Sequence, residues 1–124
     1  MKKGYLLTLA TAFLVAASLA PGMRAEAATI TASGDITSAL QNAIDNSASD
    51  KDIVISGGTS CTCSKINLNN AASGTTITAT GVTITATSSS DPLLFTPDGS
   101  TVSGLTIKGG TWTGNSNYVM RFLG

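Results

Sequence analysis

The chain has 124 residues, with seven basic and seven acidic side chains, two cysteines and no histidine. Only 11% of it is charged, yet Ile, Val and Leu recur among Thr, Ser, Gly and Asn, which excludes a disordered composition and suits short strands joined by turns. No basic stripe is present, so nucleic-acid binding has no electrostatic support.

Lys2 and Lys3 precede an apolar run from Tyr5 to Ala20, followed by Pro21, Gly22 and the exit Ala25-Glu26-Ala27. A basic start, an apolar stretch short for a bilayer and a small-residue exit predict a secretory signal peptide over 1–27. The competing reading is a membrane anchor, but Thr8, Thr11 and Ser18 dilute the run. The remainder, 28–124, is long enough for one small domain. It is expected to be secreted or extracytoplasmic, without a membrane once the signal is removed. Lys51, Lys65, Lys108 and Arg121 stand there against Asp35, Asp45, Asp50, Asp52, Asp91 and Asp98, four against six, a net of −2.

A strand candidate, Thr29–Ala32, comes first. Asp35 then opens a helix by accepting from first-turn amides, and Ile36, Ala39, Leu40, Ala43 and Ile44 form one apolar stripe at helical spacing, ended by Asn46 and Ser47. The next feature is Cys61-Thr62-Cys63. In an extended segment both thiols face one way. A bridge between such close neighbours closes almost no chain, and zinc wants more nitrogen and sulfur ligands than this chain has. Plain structural cysteines are favoured, with a strained bridge or a bond to another chain as alternatives.

Further strands are expected at 53–55, 66–68, 76–80, 82–87, 93–96, 101–103, 105–108 and 118–122. They repeat. The "TIT" of 76–78 returns as "TVS" at 101–103, and "GVTIT" from Gly81 returns as "GLTIK" from Gly104. A self-similar period of roughly 25 residues marks a solenoid. Three short strands per unit with inward Ile, Val or Leu predict an all-β fold, a parallel β-helix whose coils stack at about 4.8 Å. The helix from Asp35 would cover the open end of the first coil, so 28–124 holds an N-terminal capping α-helix and the first two to three coils.

The capping helix, "TTITATGVTITA" and "STVSGLTIKGGTWTGN" together resemble the start of a right-handed parallel β-helix of the pectate-lyase-like group. The stretch Gly109–Asn115 is similar to an early-coil element of polygalacturonases, where it is a turn and strand. The resemblance implies a pectin-type hydrolase or lyase as the full-length relative, acting on polysaccharide. It also implies that this chain is incomplete, because the Asn-Thr-Asp, Asp-Asp, Gly-His-Gly and Arg-Ile-Lys segments of such enzymes do not occur here. Gly109 and Gly110 then serve a tight corner.

Chemistry was sought in what is present. Glycoside hydrolysis needs two carboxyls about 5 to 10 Å apart, and Asp91 and Asp98 would stand roughly 20 Å apart if the chain between them is extended. No catalytic residue, metal site or cofactor is expected. Four residues are candidates for carbohydrate contact. Trp112 is either a sugar platform or a corner-closing ring; Arg121, beside Tyr118, either meets an anionic sugar or is a solvated strand position; Lys108 faces outward. The expected partner is a polysaccharide or cell-wall glycan, with self-association through an open C-terminal coil as a second contact.

Three functions follow in order. The first is the N-terminal portion of a secreted polysaccharide-processing enzyme, inactive as given. The alternative is a non-catalytic surface, adhesin or carbohydrate-binding β-helix. The third is ice binding, raised by Thr76, Thr78 and Thr80 and by Thr83, Thr85 and Thr87. Under the sequence repeat, Lys108 interrupts the second of these rows.

Overall fold

Threonine and serine alternating with Ile, Val and Leu should give strands that bury every second side chain, and Asp52–Ser56 does so: Ile53 and Ile55 are buried while Asp52, Val54 and Ser56 are partly exposed. The computed structural model describes residues 28–114 and 118–123. The signal peptide read over 1–27, and Asn115 of the glycine-rich element, lie outside the described residues. Ten strands and one helix follow in order: β1 (Ala28–Thr31), α1 (Thr37–Asp45), β2 (Asp52–Ser56), β3 (Ser60–Cys63), β4 (Ile66–Asn67), β5 (Thr76–Thr78), β6 (Thr83–Ala86), β7 (Leu94–Phe95), β8 (Thr106–Lys108), β9 (Thr111–Thr113) and β10 (Met120–Arg121).

They form three sheets, and every pairing is parallel. The first sheet has the order β1-β2-β5-β8, the second β3-β6-β9 and the third β4-β7-β10. The chain visits the three faces in turn, so this is a parallel β-solenoid of about four turns. One more strand enters the stack than the repeat suggested, because β1, ahead of the helix, pairs with β2.

Inward side chains stack in columns. Ile53, Ile77 and Ile107 make one; Cys61, Ile84 and Trp112 a second; Ile66, Leu94 and Met120 a third. Ile53, Ile77, Ile84, Ile66 and Leu94 are fully buried. Burial of each such side chain is worth about 1.5–3 kcal/mol against exposure.

The helix covers the first coil as expected. Leu40 and Ile44 are fully buried and Ile36 nearly so, while Ala39 of the expected stripe is exposed. Asp35 precedes the first helical turn and accepts from the Thr37 amide at 2.8 Å and from its hydroxyl, which holds the Asp35 carboxyl below its ordinary pKa. The helix also replaces a missing coil in hydrogen bonding. The Gln41 side chain donates to the Asn67 carbonyl and accepts from the Asn67 amide, both at 2.9 Å, as a neighbouring strand would. Thr37 Oγ1 accepts from the Ser64 amide at 2.8 Å, and Ser47 Oγ accepts from the Ala72 amide at 2.8 Å. Before the helix, Thr62 pairs with the chain at 34–36: its amide donates to Gly34 and its carbonyl accepts from Ile36. The N-terminal edges of the second and third sheets are thereby closed.

The register corrects one expectation. "GVTIT" at 81–85 runs into the second sheet and "GLTIK" at 104–108 into the first, so the two do not stack. Thr76-Ile77-Thr78 instead pairs with Thr106-Ile107-Lys108, and Thr83-Ile84-Thr85 with Thr111-Trp112-Thr113. Residues 101–103, expected as a strand, form an irregular segment. Local likeness misled because the connecting loops differ in length, while stacking responds to which residues face inward. The glycine-rich corner does behave as read: Gly109 and Gly110 have φ of +68° and +84° between β8 and β9.

Candidate functional site

Each sheet shows the solvent a different chemistry. On the third sheet the outward column is Asn67, Phe95 and Arg121, one residue per coil in register. Lys65, just before β4, lies over the Phe95 ring with Nζ 4.9 Å from its centroid, and the same ammonium pairs with Asp91 at 3.4 Å. Both members of that pair are almost half exposed, so the pair itself adds little to stability. Asp91 is held by Ser88, whose hydroxyl donates to Oδ2 at 3.2 Å and accepts from the Asp91 amide at 3.1 Å.

These residues border a groove of about 260 Å³, lined among others by Lys65, Asp91, Phe95, Asp98 and Arg121. Its floor is fixed by Thr96, a buried hydroxyl that donates to the Leu123 carbonyl at 2.9 Å and accepts from the Leu123 amide at 2.7 Å. The Thr96 amide donates to the Arg121 carbonyl at 3.0 Å, which sets the backbone that carries the guanidinium. The groove thus combines an aromatic ring, a guanidinium, an ammonium and two carboxylates.

Asp91 and Asp98 share this groove, contrary to the separation expected for an extended segment. Only Leu94–Phe95 of the intervening chain is strand, with Pro92 and Pro97 just outside it. Among the described residues no three His, Cys, Asp or Glu side chains gather to hold a metal ion.

Of the four residues proposed from the sequence, Arg121 alone lines the groove. Lys108 is exposed on the first sheet, beside Thr78. Tyr118 is 58% exposed ahead of β10. Trp112 stands in the inward row above Ile84, half-buried against the core, and its indole N–H donates to the Gly109 carbonyl at 3.0 Å. Of its two readings, corner closure is the one its position matches. Lys65 and Phe95 were missed; the signal available was their nearness to the "INL" and "LLF" strands that align with "VMRF".

Cys61 and Cys63 are free and buried, both inward on β3. Burial raises both thiols, Cys63 to about 11, where Thr37 gives a weak opposing contact. A thiol held so high carries almost no thiolate near neutrality. The native chain should therefore resist iodoacetamide at pH 8 and take two labels once denatured. Rapid double labelling of the native state, read by intact mass, would show these positions to be open.

Comparison with protein families, with curated proteins and with solved structures gave no match.

Proposed function

We propose that the solenoid is a carbohydrate-contacting module that acts outside the cytoplasm, with the third-sheet groove as the place where a glycan strand lies. The observation that carries this reading is the convergence of Phe95, Arg121, Asp91 and Asp98 on one groove. A sugar offers C–H patches and hydroxyls together. The ring packs on the former, the carboxylates accept from hydroxyls, and the guanidinium fork donates to ring or carboxylate oxygens. The likeness of the Gly109 corner to an early coil of polygalacturonases supports polysaccharide as the ligand class. Export through residues 1–27 belongs to the same proposal. A longer relative would supply hydrolase or lyase chemistry; the role proposed for this chain is binding.

The test is retention of the full chain on insoluble cell-wall polysaccharide, with a parallel assay for released reducing ends or unsaturated products. Arg121→Ala and Phe95→Ala should each weaken retention about tenfold, or roughly 1.4 kcal/mol. Lys108→Ala, on another face, should leave it unchanged. Equal retention of all four proteins would remove the groove from the function, and steady product release would replace binding with catalysis.

A further inference from the structure

The outward positions of the second sheet differ from those of the other two. β3 presents Ser60 and Thr62, β6 presents Thr83 and Thr85, and β9 presents Thr111 and Thr113. The register places Ser60, Thr83 and Thr111 in one column and Thr62, Thr85 and Thr113 in the next. All six are hydroxyl residues and none is charged. The first sheet, by contrast, mixes Asp52, Val54 and Lys108 into its outward rows, and the third carries Phe95 and Arg121. Thr85, thought from the sequence repeat to be followed by Lys108, is followed by Thr113. The row is therefore unbroken over three coils.

We infer that this second-sheet face binds an ordered water lattice, that is, the surface of ice. The inference is independent of the groove on the third sheet. Hydroxyls repeat at about 4.8 Å across the coils and about 6.6 Å along each strand, the two spacings of a parallel sheet. Both lie close to the oxygen repeats on a prism face of hexagonal ice. Five of the six are threonines, whose branched Cβ restricts χ1, so each methyl and hydroxyl is held in place before any contact is made. Behind them Cys61, Cys63, Ile84 and Ala86 are buried, which gives the face a rigid backing. Charged side chains would hold hydration shells out of step with a lattice; the nearest charge in the rows is Asp35, at the helix end opposite Thr62 and engaged by Thr37.

The experiment is nanolitre osmometry on the full chain, with microscopy of the growing crystal. Wild type should facet ice and hold its growth over a measurable hysteresis gap. Thr85→Tyr, in the middle of the array, should abolish both, and Thr78→Tyr on the first sheet should leave both in place. Thr113→Lys, at an exposed strand-edge position, supplies a second variant with little risk to folding and should also lose activity. Ordinary rounded crystals with wild type would overturn the inference, as would equal activity of the variants on the two sheets. Retention on crystalline polysaccharide that depends on Thr85 without any ice shaping would assign the face to a glycan and overturn it as well.

Discussion

Gly58→Ala should be among the most damaging single changes in the chain, costing about 3 kcal/mol, a large part of the stability of a domain this size. A Cβ at this position would lie 2.1 Å from the Ala32 carbonyl oxygen and 3.1 Å from its carbon. Both obstacles are backbone, and that backbone is fixed. The Ala32 amide donates to Ser56 at 2.7 Å, Ala32 is itself buried, and β1 is held to β2 over four residue pairs. Relief therefore requires moving the first coil away from the second. Gly81→Ala is the matched comparison, since nothing lies within 4 Å of its Cβ and only its φ of +76° resists substitution. That strain is worth about 1–2 kcal/mol. Urea denaturation of both variants should rank Gly58→Ala well below Gly81→Ala at constant slope. Equal midpoints would mean that the first turn is not packed as described.

The contrast between these glycines indicates what the sequence carries openly and what it does not. The solenoid was legible from β-branched triplets recurring at a loosely constant interval, and the helix from its apolar stripe and Asp35. Stacking partners were not. The true offsets between paired residues vary, from 23 for Ser60 and Thr83 to 30 for Thr76 and Thr106. The best local match, Gly81 with Gly104, lies at a short offset and joins two different faces. β3 was passed over because Ser-Cys-Thr-Cys has weak strand character taken alone, and β9 because its glycines read as a turn. In both, the inward column decides: Cys61, Ile84 and Trp112 stack, and their neighbours are strand because the coils on either side are.

The candidate groove illustrates the same limit. Arg121 was identifiable as the lone arginine after residue 27, on a strand. Its companions come from the two preceding coils, Lys65 by a cation–π contact and Asp91 and Asp98 through bends flanked by proline. No spacing rule along one chain reports such convergence. The two proposed faces also have opposite character, since the groove uses charge and an aromatic ring while the threonine rows exclude both. A solenoid permits this because each sheet repeats its own outward column without disturbing the shared core.

Leu40→Asp should abolish the cap and send the protein into association. Leu40 is fully buried beneath α1, and a carboxylate placed there has no partner in the surrounding Ile and Leu side chains. Even truncation of such a side chain to alanine costs about 2–5 kcal/mol, and burying an unpaired charge exceeds that. The helix would leave, and with it the Gln41 bonds that close the edge of β4 and the Thr37 and Ser47 bonds to the turns beside it. The third sheet would then present its first strand unpaired, above a row of exposed isoleucines, which is the condition for strand-to-strand association. Ala39→Asp, one residue earlier and on the exposed side of the same helix, should change stability by no more than about 0.5 kcal/mol. Sedimentation velocity at two concentrations separates the outcomes. Concentration-dependent growth of Leu40→Asp, with Ala39→Asp like wild type, is expected. A Leu40→Asp chain that sediments and melts like wild type would show that the first coil holds itself closed, and that the helix is an attachment to the solenoid and not its cap.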